Sequence, residues 1–279
     1  MKPEFYTVDE LVIVCLARTI KDKDIVFNGV ASVLPFTAMA LAREKHAKNS
    51  VFLGGLQGAV NPRFGFLPPV SVDFVFNQNE ESMIPVEEIF NWANSGKIDR
   101  IFFGGGQIDK FGNANNTVIG SIDEPKVKLP GGAGAPSISC NAKHFTLWSS
   151  RHFVDEKSRL GNNFTFVDKV DFVTTVGHVT PQGTREQIGL QGGGPDIVVT
   201  DLGVFDFDEK DKTMRLKSVH PHTTLDEIAS CTQFTLAVGL ADNTIAPDQE
   251  EVKFIRELDV MNVRKKLFDN AQLDFKFDF

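Results

Sequence analysis

Two glycine-rich stretches hold the densest chemistry in the chain. Residues 102–120, FFGGGQIDKFGNANNTVIG, set glycines directly after an apolar run, and residues 125–139, PKVKLPGGAGAPSIS, set more of them ahead of a helix-like segment. Backbone N–H groups in such turns can converge on an oxyanion or a phosphate, because glycine reaches the required conformations and has no side chain to block the approach. The same residues also serve tight turns and close strand packing. Neither stretch has the GxGxxG spacing of a dinucleotide-binding turn, and no acidic residue follows about twenty positions on at a clear strand end, which argues against that fold. A few polar side chains stand nearby. Gln57 is a candidate donor into a crevice, Arg63 a candidate bidentate partner for a carboxylate, and His178, in VGHV, a base or, as the favoured reading, a satisfied loop residue. Asn113, Asn115 and Asn116 read as builders of Asx-type turns. His46, His144, His152, His220 and His222 show no metal-ligand spacing with acids or with Cys15, Cys140 and Cys231, so no metal is expected.

These groups need a scaffold, and the apolar periodicity supplies one. Thr7 with Glu10 three positions later forms a capping box, and Val8, Leu11, Val12, Cys15 and Leu16 recur at helical spacing, which predicts a helix over 7–20 with one apolar face. IVFN at 25–28 reads as a strand, a helix follows around Pro35, and residues 51–53 form a second strand running into Gly54 and Gly55. A helix over 86–95 then leads into the strand 101–103. Strand, helix, strand in repetition predicts an α/β fold with an open, mostly parallel sheet and flanking helices, whose ligand crevice lies past the carboxyl ends of the strands. The C-terminal half adds β-rich runs at 170–175, 197–200, 204–207 and 214–216, and a last helix over 247–258. No linker or internal repeat divides the chain, so residues 1–279 read as a single domain.

Composition narrows the partners. Twenty-nine Lys and Arg against 37 Asp and Glu give a net charge of −8, which disfavours a nucleic-acid duplex as ligand while allowing a locally basic pocket. With 42% apolar residues the chain has material for a sizeable core. Three widely spaced cysteines build no disulfide framework, no apolar run is long enough to span a bilayer, and the acidic MKPEFYTVDE lacks the pattern of a signal peptide. A cytoplasmic protein without nucleic-acid or membrane partners is the expectation.

The run Gly105-Gly106-Gln107-Ile108-Asp109-Lys110-Phe111-Gly112-Asn113-Ala114-Asn115, with Thr117, resembles the GGAQID-x-x-GN-x-N-x-T signature of family I CoA-transferases, in particular the β-type subunits of the glutaconate CoA-transferase group. PKVKLPGGAGA is similar to that group's glycine-rich loop, and DFVTTVGH, GGGPDIVVTDLGVFDFDE and APDQEEVKFIRE extend the resemblance over nearly the whole chain. The resemblance implies an acyl-CoA thioester as substrate, no bound cofactor, and a homologous α-type partner in a heterodimer or heterotetramer. It implies a thioester site lined by Gly54, Gly55, Gln107, Gly131, Gly132, Ala133, Gly134 and Ala135. It also implies a glutamate just past the second strand, which attacks the thioester and carries the acyl group and then CoA. Leu53 occupies that place, and residues 45–72 contain no Asp or Glu at all. The expected function is therefore a β-type subunit acting on an acyl-CoA by decarboxylation or C–C hydrolysis, with no catalytic residue certain and Gln57, Arg63 and His178 as candidates. The alternatives are a working CoA-transferase with another nucleophile and a non-catalytic subunit that completes a CoA cleft.

Overall fold

The structure is a computed structural model describing residues 5–29, 32–54, 58–70, 73–152 and 164–268. The chain opens with helix α1 (Val8–Ala17), strand β1 (Ile25–Asn28), α2 (Val33–Lys45), β2 (Val51–Gly54), β3 (Ala59–Val60), β4 (Ser82–Met83), α3 (Val86–Asn94) and β5 (Arg100–Gly104). Four short strands follow in the long connection after β5: β6 (Gln107–Asp109), β7 (Ala114–Asn115), β8 (Val118–Gly120) and β9 (Pro125–Lys128). Then come α4 (Ala135–Asn141), β10 (His144–Trp148), β11 (Phe166–Val167), β12 (Val179–Thr180), β13 (Gly183–Thr184), β14 (Pro195–Val199), β15 (Gly203–Phe207), β16 (Met214–Val219), α5 (Leu225–Ser230), β17 (Ala237–Asn243) and α6 (Gln249–Leu258).

Ten strands form one sheet in the order β17-β16-β15-β14-β10-β5-β1-β2-β3-β4. Its centre, β14-β10-β5-β1-β2, is parallel throughout, whereas β15, β16, β3 and β4 extend it by antiparallel pairing. The predicted α/β architecture with flanking helices is the observed one. The chain leaves β1 toward β2 on one side and later returns to place β5 on the other, with Phe27 opposite Ile101 and Asn28 opposite Phe102. That reversal opens a crevice at the carboxyl ends of β1 and β5, because the two connections depart in opposite directions.

Two apolar layers hold the sheet. On one face α1, α2 and α6 pack against Val26, Phe52 and Phe102, around the rings of Phe36, Phe64 and Phe76. On the other, α3, α4 and α5 bury Ile89, Ile138 and Ile228 against Phe27, Phe103 and Phe145. Strand alternation sorts neighbours such as Phe102 and Phe103 to opposite faces.

Two expectations need correction. Helix α1 is shorter than predicted and has no single apolar face: every residue from Asp9 to Ala17 is buried. Its second side is covered from the far end of the chain, where α6 and the turn Val263–Leu267 pack on it and bring basic partners for Asp9 and Glu10. Residues 170–175 are not a strand. Only Thr175 makes a bridge, to Ala114, and the N–H groups of Thr174 and Thr175 both donate to the Ala114 carbonyl, so this segment braces β7 as a loop.

Candidate active site

A cavity of about 360 Å³ occupies the crevice between the ends of β1 and β5. Its floor is Phe27 and Gly29 from the first strand and Phe102, Phe103 and Gly104 from the second, and Phe90 of α3 and Ile138 of α4 close it from the side. The glycine-rich loop, residues 130–135, forms the remaining wall, and Ser32 and Asn116 supply polar side chains. No Asp, Glu, Lys, Arg or His is among the described residues that line it.

The loop takes its shape from what its glycines omit. Gly131 has φ +98°, in the region glycine tolerates, and a Cβ there would meet nothing within 4 Å. A Cβ on Gly132 would stand 2.3 Å from Cγ2 of Thr174, and one on Gly134 would stand 2.5 Å from Cε1 of Phe90, so these two glycines let the loop lie against its neighbours. Asn116 ties the loop to the sheet. Its carbonyl accepts from the Gly131 N–H at 2.7 Å, its Nδ2 donates to Gly104 O at 2.6 Å, and its Oδ1 accepts from the Gly106 N–H at 3.0 Å. The Asn116 N–H in turn donates to Oγ1 of Thr174. The N–H groups of Gly132, Ala133 and Gly134 have no acceptor among the described residues, and donors left open on a preorganised loop are suited to hold a developing oxyanion.

The sequence candidates separate on this geometry. Gly131, Gly132, Ala133, Gly134 and Ala135 come together at the cavity. Leu53 is fully buried one strand away, opposite Phe27 on β1 and Val60 on β3, in the core beneath α3. Gly54 ends β2, with room for a Cβ limited by Ala59 O at 3.1 Å. Gln107 does not reach the cavity: its Nε2 donates to Asp171, and its Oε1 accepts from Asn115 and from the Asp171 N–H. Arg63 lies on the surface beside Glu81, 3.5 Å away, in a different depression. Nε2 of His178 is 2.6 Å from Pro195 O, its ring stands edge-on to Phe207, and burial depresses its pKa to about 4, so it is a neutral ring bracing a loop. Gly55 and Gln57 lie outside the described residues.

Sequence reasoning passed over Phe90 and Ser32 and read Asn116 as a turn builder. Asn115 does form the expected Asx turn, accepting from the Thr117 N–H at 2.9 Å, but Asn116 next to it turns toward the cavity, and composition does not separate two adjacent asparagines. No group of three or more potential metal ligands occurs among the described residues, and no helix there is long and apolar enough to cross a membrane.

The fold that carries this cavity has counterparts among known proteins. Residues 10–230 match the family model for coenzyme A transferase. The chain is 32% identical over 256 residues, 91% of its length and 94% of the relative's, to the B subunit of the 3-oxoadipate CoA-transferase of Pseudomonas knackmussii. It is 35% identical over 190 residues, 67% of its length and 69% of the relative's, to the cholesterol ring-cleaving hydrolase IpdB subunit of Rhodococcus jostii. Among solved structures, the decarboxylase AibA/AibB superposes with a TM-score of 0.78 at 30% identity, covering 94% of this chain and 98% of that one. The glutaconate coenzyme A-transferase of Acidaminococcus fermentans superposes with a TM-score of 0.81 at 29% identity, covering 95% and 98%. The chain belongs to the coenzyme A transferase family.

Proposed function

We propose that the chain works as the β-type subunit of a two-subunit cytoplasmic enzyme that decarboxylates, or cleaves by C–C hydrolysis, an acyl-CoA thioester without a covalent glutamyl intermediate. The observation that carries this reading is the cavity itself: three open backbone N–H groups belong to the wall of a site whose described lining holds no carboxylate. Leu53, buried behind Phe27, and the acid-free segment 45–72 support the loss of the family nucleophile. The partner is a homologous α-type chain, in line with the subunit names of the relatives and the paired name AibA/AibB. Free thiols at Cys15, Cys140 and Cys231 suit a reducing compartment. CoA enters as part of the substrate, no resident cofactor is required, and the whole chain acts as one unit.

Both reactions draw on the same feature. In decarboxylation the bond between the carboxyl carbon and the acyl chain breaks, CO₂ leaves, and the electron pair runs through the chain onto the thioester oxygen as an enolate. In C–C hydrolysis, water adds to a carbonyl carbon, the bond from that carbon to the acyl chain breaks, and the pair takes the same route. Carbon then accepts a proton from solvent or a partner group. Open N–H donors stabilise the enolate oxygen, and an apolar wall strengthens their effect by excluding water.

The test is co-expression with a homologous α-type chain and a panel of acyl-CoAs read by mass spectrometry, which distinguishes loss of CO₂, gain of water and exchange of CoA. The first two outcomes support the proposal. A CoA adduct on this chain, trapped by borohydride during turnover, overturns it in favour of a working transferase.

A further inference from the structure

We infer that the acyl part of the substrate, apart from the group lost in the reaction, is apolar and uncharged, and that Phe90 is the residue that selects it. The inference rests on the reading of the cavity as a thioester site and adds the chemistry of what fills it. Three phenylalanines that share the α3 and α4 face of the sheet, Phe27, Phe90 and Phe103, line the space, and Ile138 closes it. The polar side chains on the wall are neutral, and Asn116 already spends its amide on Gly104 and Gly106. An acyl chain that keeps a carboxylate through the reaction would hold that charge out of water in a space where no described side chain is charged to pair with it, whereas a carboxylate expelled as CO₂ is gone from the product. The cost of such a burial is large compared with any gain from apolar contact.

The names of the relatives fall on both sides of this divide. The names 3-oxoadipate and glutaconate denote acids with two carboxyl groups, whereas the IpdB name denotes a cleaved sterol ring. The lining of this cavity belongs with the second chemistry. Phe90 is the lever because it comes from α3, on the crevice side, where it is only partly buried, and its ring also occupies the space beside Gly134. A change there alters the cavity rim without opening the core, unlike one at Phe102 or Phe103, which are buried in the sheet.

The experiment is equilibrium binding to the assembled two-subunit enzyme, with hexanoyl-CoA and adipyl-CoA as probes and CoA alone as reference. The two thioesters share a chain length and differ in a terminal carboxylate, which in the saturated adipyl chain has no route for its electron pair to the thioester oxygen and so is retained. Hexanoyl-CoA is expected to bind at least ~30-fold more tightly than adipyl-CoA. Phe90→Arg should bring the two within a few-fold of each other, mainly by improving adipyl-CoA, and Phe90→Leu should keep the preference. Equal or better binding of adipyl-CoA to the wild-type enzyme, or two thioesters no tighter than CoA, overturns the inference while leaving the thioester reaction to stand on its turnover. A Phe90→Arg enzyme that weakens both ligands equally removes Phe90 from the acyl end. Failure of the function reading shows elsewhere, as absence of turnover across the acyl-CoA panel.

Discussion

The sheet carries charge on one flank and avoids it at the crevice. On the α1 and α6 side, Arg264 is 2% exposed in its side chain and is ringed by carboxylates. Its Nε lies 2.6 Å from Asp9, its Nη2 bonds Glu10 at 2.9 Å, and its Nη1 bonds Asp259 at 2.8 Å. Arg256 adds two further bonds to Glu10. Burial pushes the Glu10 pKa up, yet the Arg256 hydrogen bond, the Thr7 N–H and the two guanidinium charges together hold it below the usual carboxylate value. At the crevice the described lining has no charge at all, and three N–H groups are left open. Buried charge is tolerated only where opposite charge surrounds it, and it serves here to lock the two ends of the chain together. Unpaired donors persist at the crevice because the loop is open to solvent.

The charged flank should give way most at Arg264. Arg264→Met takes the buried cation from Asp9 and Asp259, leaves Glu10 with Arg256 alone, and should lower stability by ~3–5 kcal/mol, seen as a shift in the urea midpoint of the assembled enzyme. Arg264→Lys should recover less than half, since an ammonium cannot serve three acids in a fork geometry. A loss below about 1 kcal/mol would show that the cluster is not the clasp described.

Acid acts next, on buried groups that lack a compensating charge. Burial holds His152 neutral with a pKa of about 3, and His178 and His220 with values of about 4. The unfolded chain takes up protons at these rings below the ordinary histidine value of about 6.5 while the folded chain does not, so stability is full above that pH and falls as pH drops toward 4. Each ring contributes a slope of up to ~1.4 kcal/mol per pH unit. Glu10 adds a further loss at lower pH, as it protonates through its lowered pKa. Unfolding midpoints from pH 7.5 to 5 should decline steadily, and a rise on acidification contradicts the neutral buried rings.

At the crevice the most direct probe is steric. Gly132→Ala drives a methyl into Cγ2 of Thr174 and should lower kcat/KM by ~10- to 100-fold with ~1–3 kcal/mol of lost stability. Thr174→Ser removes that methyl and keeps the hydroxyl bonded to Asn116 and Thr117, so the double variant should regain part of the activity. Pro136, with a carbon 3.0 Å from the same point, limits the recovery. The smallest effect belongs to Lys126 and Lys128, exposed on β9 just before the loop. If they meet the phosphates of CoA, Lys126→Gln with Lys128→Gln should raise KM by ~2- to 5-fold at low salt, leave kcat alone, and lose its effect at high salt.

Legibility followed distance along the chain. The strands at 25–28 and 51–53, the helix over 86–95 and the glycine loop before α4 were readable because helix and strand periods and turn residues act within a few positions. Residues 170–175 misled because a run of β-prone residues looks alike whether it pairs along its length or bridges once at Thr175. The resemblance to the coenzyme A transferases was legible for the same reason as the turns, since its motifs are contiguous.

By itself the sequence determined the α/β layering, the place of the glycine loop and the absence of acids from 45–72. Tertiary structure alone decided that Phe27, Phe90, Phe103 and Asn116 meet at one cavity, that Gln107 and His178 brace loops instead, and that Glu10 finds Arg264 254 residues further along. The physical reason is that these meetings depend on where β5 crosses to lie beside β1, a choice made by packing two apolar faces at once, which no local window of residues contains.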